Sequence, residues 1–316
     1  MGGTTLLLID AQNDFHPGGS LAIPDADKDA DRISRLIRRG TMTGNRGSKK
    51  NNGINRIVAT LDSHHKLHIA HPAFWVSGQD GVTRPSPFTI ISNADVKSGK
   101  WKPRENLSLP IGESLVDEDV LERTYKTSTS NCYEIGSIYD EDGNLNLLKY
   151  CEIYTKLLEE KGKFSLCIWP EHCIIGTVGH CVVPRIMDAM QDWSQESGGN
   201  IEWIQKGQNL LTEMYSALSS EVPITPSTSF QKNILENLMT SDRILIAGQA
   251  LSHCVNYTVR DIVDHIPNDQ RHKILLLSDC ASSVPSFETA SEDILKFLKD
   301  SGVHICRSDE VEFSSS

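Results

Sequence analysis

Ile244-Leu245-Ile246-Ala247-Gly248-Gln249-Ala250-Leu251-Ser252-His253-Cys254-Val255 is the stretch that decides the fold. Its first four residues are apolar without alternation, which reads as a strand buried on both faces. Gly248 breaks the strand, and a helix is expected to begin near Cys254. Working outward, the same apolar runs recur at Leu6–Ile9, Ile57–Leu61, Ile201–Ile204, Ile274–Leu277 and about Val303–Cys306. Helical patterns lie between them, at 25–39, 228–239 and 286–298. In the first of these, Ile33, Leu36 and Ile37 share a face, and its acidic start and basic end complement the helix dipole. Continuous apolar strands alternating with helices predict an α/β fold, a doubly wound (Rossmann-like) parallel sheet with helices on both faces.

Ligands of such sheets bind beyond the carboxyl ends of the strands. Asp10 follows the first strand, Asp62 the second and Lys206 the third, and Cys254 opens the helix after the fourth. An Asp, a Lys and a Cys on one sheet edge make a candidate acid/base, cation and nucleophile. A helix N-terminus and a nearby ammonium are expected to lower the Cys254 pKa. Taken alone, Cys254 reads equally well as a buried structural thiol.

The 316 residues are read as one domain, 1–316, with 38% hydrophobic residues sufficient for a packed core. The formal charge of −11 argues against nucleic acid or an anionic membrane as partner. No apolar run approaches the roughly 20 residues of a membrane span. Leu6–Ile9 reads as a strand and not as the core of a signal peptide, because no basic segment precedes it. Eight cysteines without a C-x-x-C pair read as buried thiols in a reducing cytosol. Cys167, Cys173 and Cys181 are taken as structural.

Two insertions interrupt the pattern. One, about 40–53, is polar and rich in Gly and Asn; its Arg46, Lys49 and Lys50 read as a solvated loop before a phosphate contact. The other, about 81–163, carries helical stretches near 113–126 and 145–160 and is expected to cap the sheet. Asp25, Asp27, Asp29 and Asp31 imitate a calcium loop, but Ala30 and Leu36 stand where its Gly and Glu belong. Neither G-x-G-x-x-G after a strand nor a P-loop is present, so nucleotide readings of the sheet lose their support.

Leu8-Ile9-Asp10-Ala11-Gln12-Asn13-Asp14-Phe15 resembles the D-x-Q-x-D-F opening of the isochorismatase-like cysteine hydrolases. Gly248 to Val255 resembles their G-x-A-x-x-x-C-V nucleophile segment, and Lys206-Gly207 matches their strand-end lysine. The three motifs come in the family's order with compatible spacing, and the likeness in pattern extends over everything except the two insertions. The resemblance implies Asp10, Lys206 and Cys254 as catalytic residues. It also implies a cis Gln249–Ala250 peptide and an oxyanion hole from the Ala250 and Cys254 amides.

Asp62-Ser63-His64-His65-Lys66-Leu67-His68 and Trp169-Pro170-Glu171-His172-Cys173 together resemble the nicotinamidases of that superfamily. Carried over, Asp62, His64 and His172 hold a divalent metal, zinc or iron, with His68 at or near it, while His65 and His71 read as a polar loop. Two imidazoles and a carboxylate leave coordination positions open. Phe15 and Trp169 match residues that sandwich the substrate, although either reads as core without the resemblance. Ser63 stands where the family places an aromatic residue. The implied activity is hydrolysis of nicotinamide or a related pyridine carboxamide, in NAD metabolism and pyridine nucleotide salvage. The small-molecule amide is the expected partner, the location cytoplasmic, and a homo-oligomer is left open. A different amide, ureido or vinyl-ether substrate is one alternative, and a non-catalytic binding module on the same fold is another.

Overall fold

The computed structural model describes residues 3–42, 53–105, 107, 109, 115–128, 137–141, 143–160 and 165–313. Six strands form one sheet: β1 (Thr4–Ile9), β2 (Ile54–Asp62), β3 (Ile201–Lys206), β4 (Arg243–Gly248), β5 (Ile274–Leu277) and β6 (His304–Cys306). Their order is β6-β5-β4-β1-β2-β3, and every pairing in it is parallel. The chain winds outward from β1 in one direction and then restarts beside β1 with β4. This is the doubly wound order, and its switch point lies between the ends of β1 and β4.

Alternation along the strands builds two apolar layers. Leu6, Leu8, Ile57, Ala59, Leu245 and Ala247 face α1 (Ala26–Met42) and the helix Pro184–Ser197, which contributes Ile186, Met190 and Trp193. Leu7, Ile9, Val58, Ile244 and Ile246 face the opposite layer. That layer contains the helix Cys254–His265 and most of the long insertion. Within the insertion, the helix Leu147–Glu160 buries Tyr150, Tyr154, Leu157 and Leu158 in the same cluster as the sheet.

Several boundaries move. α1 continues to Met42, so Gly40 is helical, with Ile54 against it, and does not begin a loop. Arg46, Lys49, Lys50 and Cys132 lie outside the described residues. The expected helix at 228–239 shortens to Lys232–Leu238, because Pro226, Ser227 and Thr228 form a single capped turn. Short antiparallel ribbons, Trp75–Ser77 with Trp101–Pro103 and Ile90–Ile91 with Leu166–Cys167, were not evident in the sequence. Two- and three-residue strands are too short to show a period. No helix among the described residues is long and apolar enough to cross a membrane.

Candidate functional site

Register brings the charged residues together. Asp62 pairs with Lys206 at the last rung of β2 and β3. Ile9 pairs with Gly248 across the switch point, placing Asp10 beside the turn that leads to Cys254. Gly248 has φ 119°, and a Cβ there would lie 1.9 Å from the Ile9 carbonyl oxygen, so only glycine fits. The Gln249–Ala250 peptide is cis, as the motif implied. The following helix starts at Cys254.

Lys206 is the hub of the site. Its Nζ lies 2.9 Å from Asp10 Oδ2 and 3.1 Å from Asp62 Oδ1. It also donates to the Met214 carbonyl at 3.1 Å and reaches Cys254 Sγ at 3.5 Å. Lys206, Asp10 and Cys254 are all buried. Thr60 Oγ1 donates to Asp10 Oδ1 and accepts the Asp10 N–H.

Burial would lower the lysine pKa, but Asp10 and Asp62 outweigh it and hold the ammonium charged, well above its ordinary range. Burial raises Asp10 against the pull of Lys206. Burial also pushes the Cys254 thiol well up, because Lys206 is outweighed once the two carboxylates are added. This corrects the expectation of a lowered thiol pKa. Both shifts run upward, which makes Asp10 a candidate acceptor for the thiol proton.

Asp62 faces two ways. Its Oδ1 meets Lys206, while its Oδ2 lies 3.1 Å from His64 Nε2 and 3.3 Å from His172 Nε2. Burial opposes its ionisation, but His64 and Lys206 hold the carboxyl well below the usual range.

His71 completes a cluster in which one nitrogen each of His64, His71 and His172 lie within 4.8 Å of one another. In each ring Nδ1 faces a backbone carbonyl: Gly207 at 3.1 Å, Lys66 at 3.3 Å and Pro170 at 2.8 Å respectively. Those carbonyls fix the tautomer and present Nε2 to a common point. Among the described residues His71 Nε2 is buried without a hydrogen-bond partner, and burial drives its pKa down to about 2, so it stays a neutral donor. Three imidazole nitrogens and Asp62 Oδ2 therefore fit a divalent cation.

His71 had read as a polar loop residue, but it is fully buried; His65 is exposed, as that reading requires. His68 has both nitrogens engaged, with Nε2 toward the Thr212 carbonyl at 3.2 Å and Nδ1 accepting the Ala70 N–H at 3.2 Å. It packs on the His64 ring at 4.5 Å, as a support and not a free donor.

The opening motif acquires a structural reason. Gln12 clamps the end of β2, donating to the Asp62 carbonyl at 2.7 Å and accepting the Asp62 N–H at 2.8 Å. Asp14 Oδ2 accepts the Cys173 N–H at 2.7 Å, which ties down the His172 segment. Gly207 is needed because a Cβ there would meet Asp62 and His64 at 2.9 Å. Phe15 is buried edge-on to His172 at 5.5 Å. Trp169 is buried among Phe88, His253 and Phe287, and its Nε1 donates to Tyr215 at 3.0 Å.

Sequence reasoning assigned no role to Glu213 or Met214. Glu213 is buried, its Oε1 accepts the Met214 N–H at 3.1 Å, and burial raises its pKa. It shapes the turn whose carbonyl receives Lys206. A charged residue just before an apolar, irregular segment was the only available hint.

No family model matches the chain, and no curated protein does at the level required. Solved structures do. A nicotinamidase/pyrazinamidase from Acinetobacter baumanii is 20% identical with a TM-score of 0.55, covering 98% of both chains. The yeast nicotinamidase bound to the inhibitor nicotinaldehyde is 18% identical with a TM-score of 0.54, covering 96% of this chain and 99% of that one. The yeast nicotinamidase also matches in a second structure, at 19% identity and a TM-score of 0.53. The chain shares the fold of these structures.

Proposed function

We propose that the chain is a cysteine amidohydrolase converting nicotinamide, or a related pyridine carboxamide, to the acid and ammonia. The observation that carries this reading is the junction at Asp62: one oxygen on Lys206, in contact with Cys254, and the other on the histidine cluster. Nucleophile and metal-competent cluster are thus linked through Lys206 and Asp62, so a ring held at one would present its carboxamide to the other.

Cys254 Sγ attacks the amide carbon while Asp10 takes the thiol proton. The Ala250 and Cys254 amides receive the oxyanion. Asp10 returns the proton to nitrogen, ammonia leaves, and a thioester remains. Water, deprotonated by Asp10, releases the carboxylic acid and restores the thiol. Lys206 keeps its charge throughout and balances the carboxylates and the transient thiolate. Phe15 and Trp169 flank the ring. Asp62, His64, His71 and His172 would hold a divalent ion, zinc or iron, which supplies a Lewis-acid contact for a pyridine nitrogen. Among the described residues five of seven cysteines are buried and all seven are free, which suits the cytoplasm.

The test is ammonia release from nicotinamide by purified protein, before and after chelation. Release that falls on chelation and returns with zinc or iron supports substrate and metal together. Absence of release from metal-replete protein discards nicotinamide and leaves another amide for the same residues. In Cys254→Ala, turnover is expected to vanish while the circular dichroism spectrum is unchanged; turnover near the parent's would sink the mechanism.

A further inference from the structure

On the flank of α1, away from Cys254, a cavity of about 350 Å³ is lined by Arg32, Arg35, Arg39 and Arg307, with Asp279 and Asp309. Three of the arginines come from one side of α1, and Arg307 comes from the turn after β6. Asp279 follows β5 and Arg307 follows β6, so the cavity lies beside the outer strands of the sheet, between α1 and the segment after β6. The chain carries a formal charge of −11, yet here four guanidiniums line the wall with two carboxylates.

Those carboxylates engage Arg32 and Arg307 but, among the described residues, not Arg35. Asp279 is held by Ser308, whose N–H donates to Oδ1 at 2.7 Å and whose hydroxyl donates to Oδ2 at 2.9 Å. Arg32 and Arg307 therefore approach Asp279 Oδ2 only to 3.9 and 3.7 Å. Arg32 Nη1 also meets Asp29 Oδ1 at 3.2 Å and the Asp279 carbonyl at 3.0 Å, and Arg307 Nε meets Asp309 at 3.2 Å. Arg39 donates to the Ser308, Asp309 and Val311 carbonyls. Arg35 is exposed, its Nε donates to the Asp31 carbonyl, and among the described residues it forms no ion pair with a carboxylate.

Guanidinium N–H groups converging from two elements suit a tetrahedral dianion, whose several oxygens accept forked hydrogen bonds. A single carboxylate would use only one face of such a wall. We propose that this cavity binds a small soluble phosphorylated anion, a phosphate monoester, at a site separate from the amidase centre. The proposal does not depend on the amidase reading. The acidic surface as a whole disfavours extended polyanions and anionic bilayers, and so selects a small ligand over a headgroup in a membrane.

The experiment is isothermal titration calorimetry of the full chain with glucose 6-phosphate, and separately with inorganic phosphate, at constant ionic strength. Chloride-matched buffer serves as the blank. Saturable binding of one ligand per chain is expected in the millimolar range or tighter, at least about tenfold weaker in Arg35→Glu. Arg35 is exposed, so that variant should keep the parent melting temperature. Arg307→Glu should weaken binding in the same way. The proposal is overturned by the absence of saturable heat up to about 10 mM ligand. Equal affinity in parent and Arg35→Glu overturns it too, as does retention on vesicles bearing phosphomonoester lipid without binding of the soluble ester.

Discussion

Lys206 shows how one side chain can hold a site together and still be a weak source of stability. A buried ion pair gains little over apolar packing, but removing one partner leaves the others charged in a dry interior. Lys206→Met would strand Asp10 and Asp62, and a loss of about 3–5 kcal/mol in urea unfolding is expected. A change within about 0.5 kcal/mol would mean that the carboxylates find protons or water at little cost. The histidines separate by the same reasoning about free atoms. His71 presents an unused Nε2, whereas His68 has both nitrogens engaged. Metal analysis after dialysis should show at least about tenfold weaker zinc retention in His71→Ala. His68→Asn should retain the ion; the reverse order would exchange their roles.

Among the elements, the helix Leu147–Glu160 is the one that ties the insertion to the site. Tyr150 donates its hydroxyl to the buried Leu211 carbonyl, and the Tyr154 hydroxyl accepts the Glu213 N–H at 2.9 Å. Both partners lie in the segment between Lys206 and α-helical Lys232, most of it buried and, apart from the turn Pro226–Thr228, without regular structure. Such a segment persists only if side chains satisfy its backbone. Tyr150→Phe removes one such donor and keeps the ring's packing, so chemical denaturation should show a loss of about 1 kcal/mol. Because Met214 in that segment receives Lys206, kcat is expected to fall more than KM rises. An unchanged kcat would show that the helix supports the core alone.

For the whole molecule, pH dependence follows from what burial does to neutral and charged groups. His253 packs among Trp169, Tyr215 and Phe287, and burial lowers its pKa to about 4. The unfolded chain takes up this proton near the ordinary value of 6.5 and the folded chain does not. The stability it contributes is therefore complete above about 6.5 and is lost as pH falls toward 4, on the order of 3 kcal/mol. Asp62, held below its ordinary value, acts in the same direction at lower pH still. Thermal unfolding between pH 7 and pH 4 should thus show a steadily falling midpoint, shallower in His253→Phe. A slope unchanged in His253→Phe would refute the neutral buried state.

Period and punctuation determined much on their own. Apolar runs broken by Gly and followed by helical patterns are local features, and they specified the six strands, the doubly wound class and the sheet edge that gathers Asp10, Asp62, Lys206 and Cys254. The opening motif announced Gln12 and Asp14, although their work, clamping Asp62 and the His172 segment, appears only when distant backbone arrives beside them. His71 read as a loop residue because it ends a histidine-rich run that starts at His64; its burial depends on residues about a hundred positions away in the chain, His172 among them. The thiol's raised pKa was likewise out of reach, since desolvation and the joint field of two carboxylates exist only after folding. Sequence carries periodicity and residue chemistry, while burial, the balance of opposing charges and the choice between His68 and His71 belong to the tertiary structure.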